Sequence, residues 1–295
     1  MSVIAVVVGA GVVAGILAGA LAWFLPNFDP AAPSDPARAI RREVVEHPRA
    51  AAFLRSRVDP STATGLALTV ALGVVLAGAV AVGALLVMAQ HDALLARYDL
   101  SAARWGAAHD TPTSTRFLRN VSLLGGTPVM IAVAVIGGLA ESVRSRSRAV
   151  FGFVATVVLG QVVLVNLTKL IVDRSRPDIE RLTGFSGSSF PSGHAATAAA
   201  TFAVIAFLVG RGRSRETKAL VAAGAAAIAV AVATTRVLLG VHWLTDVLAG
   251  LALGWGWFAL TSIAFGGRML SFGHPVEVAE QAAEMTGARV SRGRT

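Results

Sequence analysis

Seven stretches of roughly 17 or more consecutive residues carry no Asp, Glu, Lys or Arg. A helix of about 20 residues matches a hydrocarbon core of about 30 Å, so each stretch is long enough to cross a bilayer. They are Val3–Phe24, Ser61–Gln90, Asn120–Ala140, Ala149–Thr168, Ala195–Gly210, Ala219–Thr235 and Val247–Gly267. The composition agrees: 55% apolar side chains, 15% charged ones and a mean hydropathy of +0.67 exclude an ordinary water-soluble domain, a disordered tail and a coiled coil. The expected fold is all-α, a polytopic membrane helix bundle made of a six-helix core and one additional N-terminal transmembrane helix.

Three regions follow. Residues 1–61 hold the first helix and a polar interfacial linker, 62–266 the six-helix core, and 267–295 a polar tail. In the linker, Asp35-Pro36, His47-Pro48 and Asp59-Pro60 punctuate two short helices. No positive charge precedes Val3, which argues against a cleaved secretory signal. The first helix carries Gly11, Gly15 and Gly19 at four-residue spacing. That is either small-residue filler or a ridge for close helix approach, through which the chain could form a homo-oligomer. Residues 91–119 mix Leu94, Leu95, Tyr98 and Trp105 with Arg97, Asp99 and Arg104, the pattern of a segment at the headgroup boundary.

Lys and Arg number 26 against 17 acids. No basic run is interleaved with aromatics on a soluble face, so the excess fits anionic lipid and membrane topology, and nucleic acid is not an expected partner. Seventeen of the cations fall in residues 25–61, 141–148, 211–218 and the tail, and nine on the opposite set of connections. Basic connections are retained in the cytoplasm, so the expected protein is a multi-pass plasma-membrane one with its N-terminus outside and its C-terminus inside. The connections after the fourth and sixth segments then open on the extracytoplasmic side. The chain has no cysteine, which removes disulfides, thiolate nucleophiles and Cys-based zinc sites.

Those two connections carry the ionisable residues a membrane helix should not tolerate: Lys169, Arg176, His194, Arg236, His242 and Asp246. Three permanent cations repel one another unless an anion with several oxygens neutralises them, and phosphate suits both Lys and the guanidinium fork. Pro191-Ser192-Gly193-His194 opens a helix: Ser192 can cap it, and the free N–H groups around Gly193 point from a positive helix end. Glycine there lets an oxyanion reach the backbone. His242 and Asp246, four residues apart, share a helix face, so the carboxylate can accept the Nδ1 proton and leave Nε2 free as a nucleophile. His194 can protonate the departing oxygen and then activate water. The two histidines and Asp246 are acceptable metal ligands, but the neighbouring cations oppose a divalent ion, so neither metal nor other cofactor is expected.

Lys169 with Arg176-Pro177, then Pro191-Ser192-Gly193-His194, then Thr235-Arg236 with His242 and Asp246, resembles the three-part signature of the type 2 phosphatidic acid phosphatase (PAP2) superfamily. The resemblance spans residues 169–246, and the third motif departs from it in having Thr235 where serine is usual. It implies catalysis by His242, His194 and Asp246 through a phosphohistidine. It also implies phosphate binding by Lys169, Arg176, Ser192, Gly193, Thr235 and Arg236, with no metal. The expected substrate is a membrane lipid phosphate, either an isoprenoid diphosphate carrier such as undecaprenyl diphosphate or a phosphatidic acid-like monoester. Transfer to a lipid or sugar acceptor and a catalytically silent membrane scaffold are the alternatives.

Overall fold

A membrane-spanning backbone must satisfy its own polar groups, and the chain does so with helices. The computed structural model describes residues 2–24, 78, 81–88, 94–145, 148–185, 187–211 and 213–271. The expected linker at 25–61, most of the Ser61–Gln90 segment and nearly all of the tail lie outside them. The chain divides into one compact unit of residues 1–26 and 73–261 and a second of 27–72 and 262–295. Every site residue lies in the first unit.

The longer helices among the described residues are α1 (Val3–Phe24), α2 (Asp99–Ala108), α3 (Pro112–Leu123), α4 (Thr127–Ser145), α5 (Arg148–Ile171), α6 (Gly193–Gly210), α7 (Arg215–Leu238) and α8 (Leu244–Ser271). A 3₁₀ turn at Leu94–Tyr98 leads into α2. Six of these helices (α1 and α4 to α8) are long and apolar enough to cross a membrane. Their outward faces stay apolar: Ile16, Leu17, Ile136, Leu159 and Leu220 are all more than 60% exposed, which suits contact with lipid tails.

Local sequence sets several boundaries. The expected third segment begins later than Asn120, because Leu124-Gly125-Gly126 breaks the chain between α3 and α4. At α3, Thr111 and Ser114 form a reciprocal capping box with Pro112 at the first helical position. A Cβ on Gly125 would lie 2.5 Å from Val232 Cγ1 and 2.9 Å from the His194 carbonyl, so this break lets α3 and α4 pass closely beside α6 and α7.

Small residues let the helices approach. Gly250 and Gly254 of α8 lie against α6, where added Cβ atoms would come within 2.5 Å of the Ser192 carbonyl and 2.3 Å of the Ala196 carbonyl. Ala195, Ala198 and Ala199 of α6 meet Ala229, Val232 and Ala233 of α7 and Val247 of α8 in the core. Gly11 and Gly15 pack on α7, each with an α7 carbonyl 3.0 Å from where a Cβ would stand, and Gly19 approaches Ala223. The ridge on α1 is therefore a seat for this chain's own α7. That corrects the expectation that the Gly11, Gly15 and Gly19 face is free for a second copy.

The C-terminal end of α5, the start of α6, the end of α7 and the start of α8 gather at one end of the bundle. The Ser192 N–H donates to the Asp246 carbonyl at 3.0 Å, and the Leu182 N–H to the Leu239 carbonyl at 3.1 Å. At the other end, Glu141, Arg144 and Arg213 line a cavity of about 200 Å³ between α4 and α6. The two connections expected to open together do share one face.

Candidate active site

His242 sits in the five-residue connection between α7 and α8. Gly240, with φ of +72°, reverses the chain there, and a Cβ on it would lie 2.7 Å from the Glu180 carbonyl. The N–H groups of Val241 and His242 both donate to the Arg236 carbonyl, at 3.3 and 3.2 Å. The turn thus holds His242 over the end of α7, where it is 3% exposed. Its Nδ1 lies 3.5 Å from Asp246 Oδ2, within ion-pair reach but without hydrogen-bond alignment. Burial pushes the imidazole down to about 4, against the pull of Asp246. Near neutral pH the ring is therefore uncharged, and a tautomer protonated on Nδ1 leaves the Nε2 lone pair free.

Arg176 frames that Nε2. Its NH1 lies 3.4 Å away and donates to the Val241 carbonyl at 2.6 Å, while Nε and NH2 reach the Gly187 and Ser188 carbonyls. Lys169, at the end of α5, donates to the same Ser188 carbonyl at 2.6 Å. Arg236, buried in the last turn of α7, donates from NH1 to Ser122 Oγ at 2.8 Å, and its Nε has no partner. His194, in the first turn of α6, is half-buried and within electrostatic range of Arg236, His242, Lys169 and Arg176. All three cations and both imidazoles meet at one site.

Two expectations need adjustment. Ser192 occupies the N-cap position of α6, but its side chain makes no capping bond, and Oγ is fully buried without a partner. Thr235 Oγ1 donates to the Val232 carbonyl at 2.6 Å, so its hydroxyl hydrogen is turned back onto its own helix and not toward an anion. Gly193, by contrast, answers to no demand of the protein: a Cβ there would make only ordinary contact with Val165, at 3.6 Å.

Sequence reasoning missed a second layer around Asp246. Arg174 donates to Asp246 Oδ1 at 2.5 Å, Ser189 Oγ makes a short hydrogen bond to Oδ2, and the Trp243 N–H reaches Oδ2 at 2.9 Å. Asp99, read as an interfacial charge, is buried against Arg174 and Thr245. Arg174, two residues before Arg176, looked like one more loop cation. The sole hint was that acidic residues, Asp92, Asp99 and Asp110, stand among the basic ones of 91–119.

The sequence model of the PAP2 superfamily matches residues 149–269, which include every residue of the expected site. Phosphatidylglycerophosphatase B of Bacillus subtilis is 31% identical over 146 residues, covering 48% of this chain and 71% of that protein. The chain belongs to the PAP2 superfamily. Lipid A 1-phosphatase of Rhizobium etli is 36% identical over 143 residues, 43% of this chain, which spans only 57% of that protein's length. The crystal structure of a transmembrane PAP2-type phosphatidylglycerolphosphate phosphatase from Bacillus subtilis aligns with a TM-score of 0.60 and 26% identity, covering 68% of this chain and 98% of that one. As a PAP2 member with six described candidate spans, this is a multi-pass membrane protein.

Proposed function

We propose that this PAP2 protein is an integral membrane lipid phosphatase. It hydrolyses a phosphate monoester or diphosphate of a lipid, either an isoprenoid diphosphate carrier or a phosphatidate-like molecule, through a phosphohistidine. The observation that carries the reading is the pair of buried donors, Ser192 Oγ and Arg236 Nε, left without protein partners in a site that holds a neutral His242, His194, Lys169, Arg176 and Arg236. Buried polar atoms are nearly always hydrogen-bonded, so unspent donors among cations suit a phosphoryl group with three oxygens. The freedom at Gly193 fits an oxyanion that approaches the first N–H groups of α6.

His242 Nε2 attacks phosphorus, the bond to the lipid oxygen breaks, and His194 gives that oxygen a proton. Asp246 holds the Nδ1 proton of the imidazole as its ring becomes positive. Water, losing a proton to His194, then attacks the phosphohistidine and releases phosphate. Lys169, Arg176, Ser192, the Gly193 N–H and Arg236 hold the phosphoryl oxygens, with Thr235 joining if its hydroxyl turns from Val232. Electrostatic stabilisation of this kind supplies most of the rate gain in phosphoryl transfer. The same cations disfavour a divalent metal, so the reaction proceeds without one.

Residues 62–266 form the catalytic core. The lipid tail stays among the apolar helix faces while its headgroup reaches the site. The distribution of Lys and Arg supports a site on the extracytoplasmic side of the plasma membrane, with the N-terminus outside and the C-terminus inside.

Phosphate release from a panel of prenyl diphosphates and phosphatidates, with purified protein in detergent and a chelator present, tests the reading. Release from at least one substrate is expected. No release from any would reject the phosphatase, and release only without chelator would reject the metal-free mechanism. Because the chain has no cysteine, Ser186→Cys provides a single thiol between α5 and α6. Labelling of intact cells by an impermeant maleimide is expected, and labelling only after permeabilisation would reverse the orientation.

A further inference from the structure

The cations at this site are not equivalent. Lys169 and Arg176 donate to main-chain carbonyls and Arg236 to a serine hydroxyl, whereas Arg174 is committed to carboxylates. Its NH1 reaches Asp246 Oδ1 at 2.5 Å and its NH2 reaches Asp99 Oδ2 at 2.8 Å. Asp99 also accepts from the Thr245 N–H at 2.8 Å and from Thr245 Oγ1 at 2.7 Å, and that hydroxyl oxygen accepts from Arg174 NH1 at 2.8 Å. Asp99, Thr245 and Asp246 are buried.

Resting on the phosphatase reading above, we propose that Arg174 and Asp99 are positioning residues that fix the Asp246 carboxylate against His242 and do not hold phosphate. Arg174 occupies Oδ1 of Asp246, while Ser189, the Trp243 N–H and His242 meet Oδ2. With both oxygens occupied the carboxylate cannot rotate, so Oδ2 stays on the Nδ1 side of the imidazole. Its negative charge, 3.5 Å from Nδ1, favours a proton there and so the tautomer whose Nε2 is the nucleophile. Asp99 does the same for Arg174. It takes the second arm of the guanidinium, leaving the first aimed at Oδ1, and it neutralises a charge that would otherwise compete for the incoming phosphoryl group. Through Asp99, the first residue of α2 is tied to the first turn of α8.

The test uses full-length protein in detergent, dioctanoyl phosphatidate or another substrate the wild type accepts, and the variants Asp99→Asn, Arg174→Gln, Thr245→Val and the Asp99→Asn/Arg174→Gln double. Active sites are counted by the burst of phosphohistidine. Each single variant should lower kcat per active site by about 10- to 100-fold, as for a residue that orients a reacting group, with KM within about threefold. Because Asp99 acts through Arg174, the double variant should be no slower than Arg174→Gln alone. Arg174→Lys keeps one charge and should recover part of the loss.

An unchanged kcat per active site overturns the proposal, as does a raised KM with kcat intact, which would make Arg174 a phosphate ligand. Additive losses in the double variant overturn the role of Asp99. If Arg174→Gln is not recovered folded, Asp99→Asn and Thr245→Val are read in the same way, since both keep the arginine. Recovery of none of them as folded protein makes the chain of contacts structural and also overturns it. A wild type inactive on the whole panel counts against the phosphatase reading itself, whereas an active wild type with unimpaired variants removes the positioning role alone.

Discussion

His242→Ala is expected to lower lipid phosphate release by about 10⁴-fold or more, the scale reached when a nucleophile working as part of a unit is removed. The side chain is buried but small, and the turn that carries it is held by backbone bonds from Val241 and His242 to the Arg236 carbonyl, which alanine keeps. The variant should therefore elute and melt like the wild type while losing both turnover and the acid-labile phosphoprotein. Retained activity within tenfold would move the nucleophile elsewhere. The same imidazole sets the acid side of the pH profile. Burial holds it near 4, so it remains an uncharged nucleophile well below the ordinary value of 6.5. After correction for the substrate's own ionisation by phosphorus NMR, kcat/KM should fall only as pH approaches 4. A fall centred near 6.5 would contradict the burial seen here. For stability the sign is the same: the unfolded imidazole binds the proton more readily, so the contribution of His242 is complete above 6.5 and lost between 6.5 and 4.

What was legible in the sequence was whatever hydrophobicity and charge alone decide. A run without charge announces a span, so α1 and α4 to α8 lie close to their expected places. Their ends were less legible: α7 begins at Arg215 and ends at Leu238, several residues beyond the charge-free run, because charged residues at helix ends reach the interface without breaking the helix. The Gly125-Gly126 break inside an apolar run was hidden for a related reason. Glycine is common in spans, and the clash that demands Gly125 comes from Val232 and His194, both distant in the chain. The ridge on α1 was visible as a ridge, but its partner was not, because Ala223 and Ala227 look like any other alanines of α7 until the two helices are docked.

The site shows the same division. Lys169, His194, Arg236 and Asp246 were readable because an ionisable group on a membrane span is conspicuous, and Arg176 and His242 because of their spacing from Lys169 and Asp246. Asp99 and Arg174 were not, since both stand among other charges in polar connections where a solvated side chain is the ordinary outcome. The burial of Asp99 and its pairing with the half-buried Arg174 depend on α2 meeting the first turn of α8, a long-range contact that no local pattern encodes. Ser192 was readable as an N-cap position, but that its hydroxyl does not cap is a matter of side-chain direction. That difference is chemically useful. A serine spent on its own helix has nothing to offer an anion, while one that is buried and unspent does.

His194→Ala should separate the two halves of the reaction. A lipid alcohol is a poor leaving group, so loss of the residue that protonates it should cost about 10²- to 10⁴-fold in turnover of a lipid monoester. With p-nitrophenyl phosphate the departing phenolate needs little help, so phosphoryl transfer to His242 should survive. Water would then lack its base, and the second half-reaction should stall. The expected signature is a burst of one p-nitrophenol per enzyme followed by slow turnover, with the phosphorylated protein outlasting that of the wild type. His194 stands in the first turn of α6 among Lys169, Arg176 and Arg236, and those three cations, which hold the phosphoryl oxygens, stay in place when it is removed. KM for the aryl substrate should therefore change little. Equal losses on the lipid and aryl substrates, with no burst, would mean that His194 binds phosphate and moves no proton, leaving another group or water itself to serve the leaving oxygen.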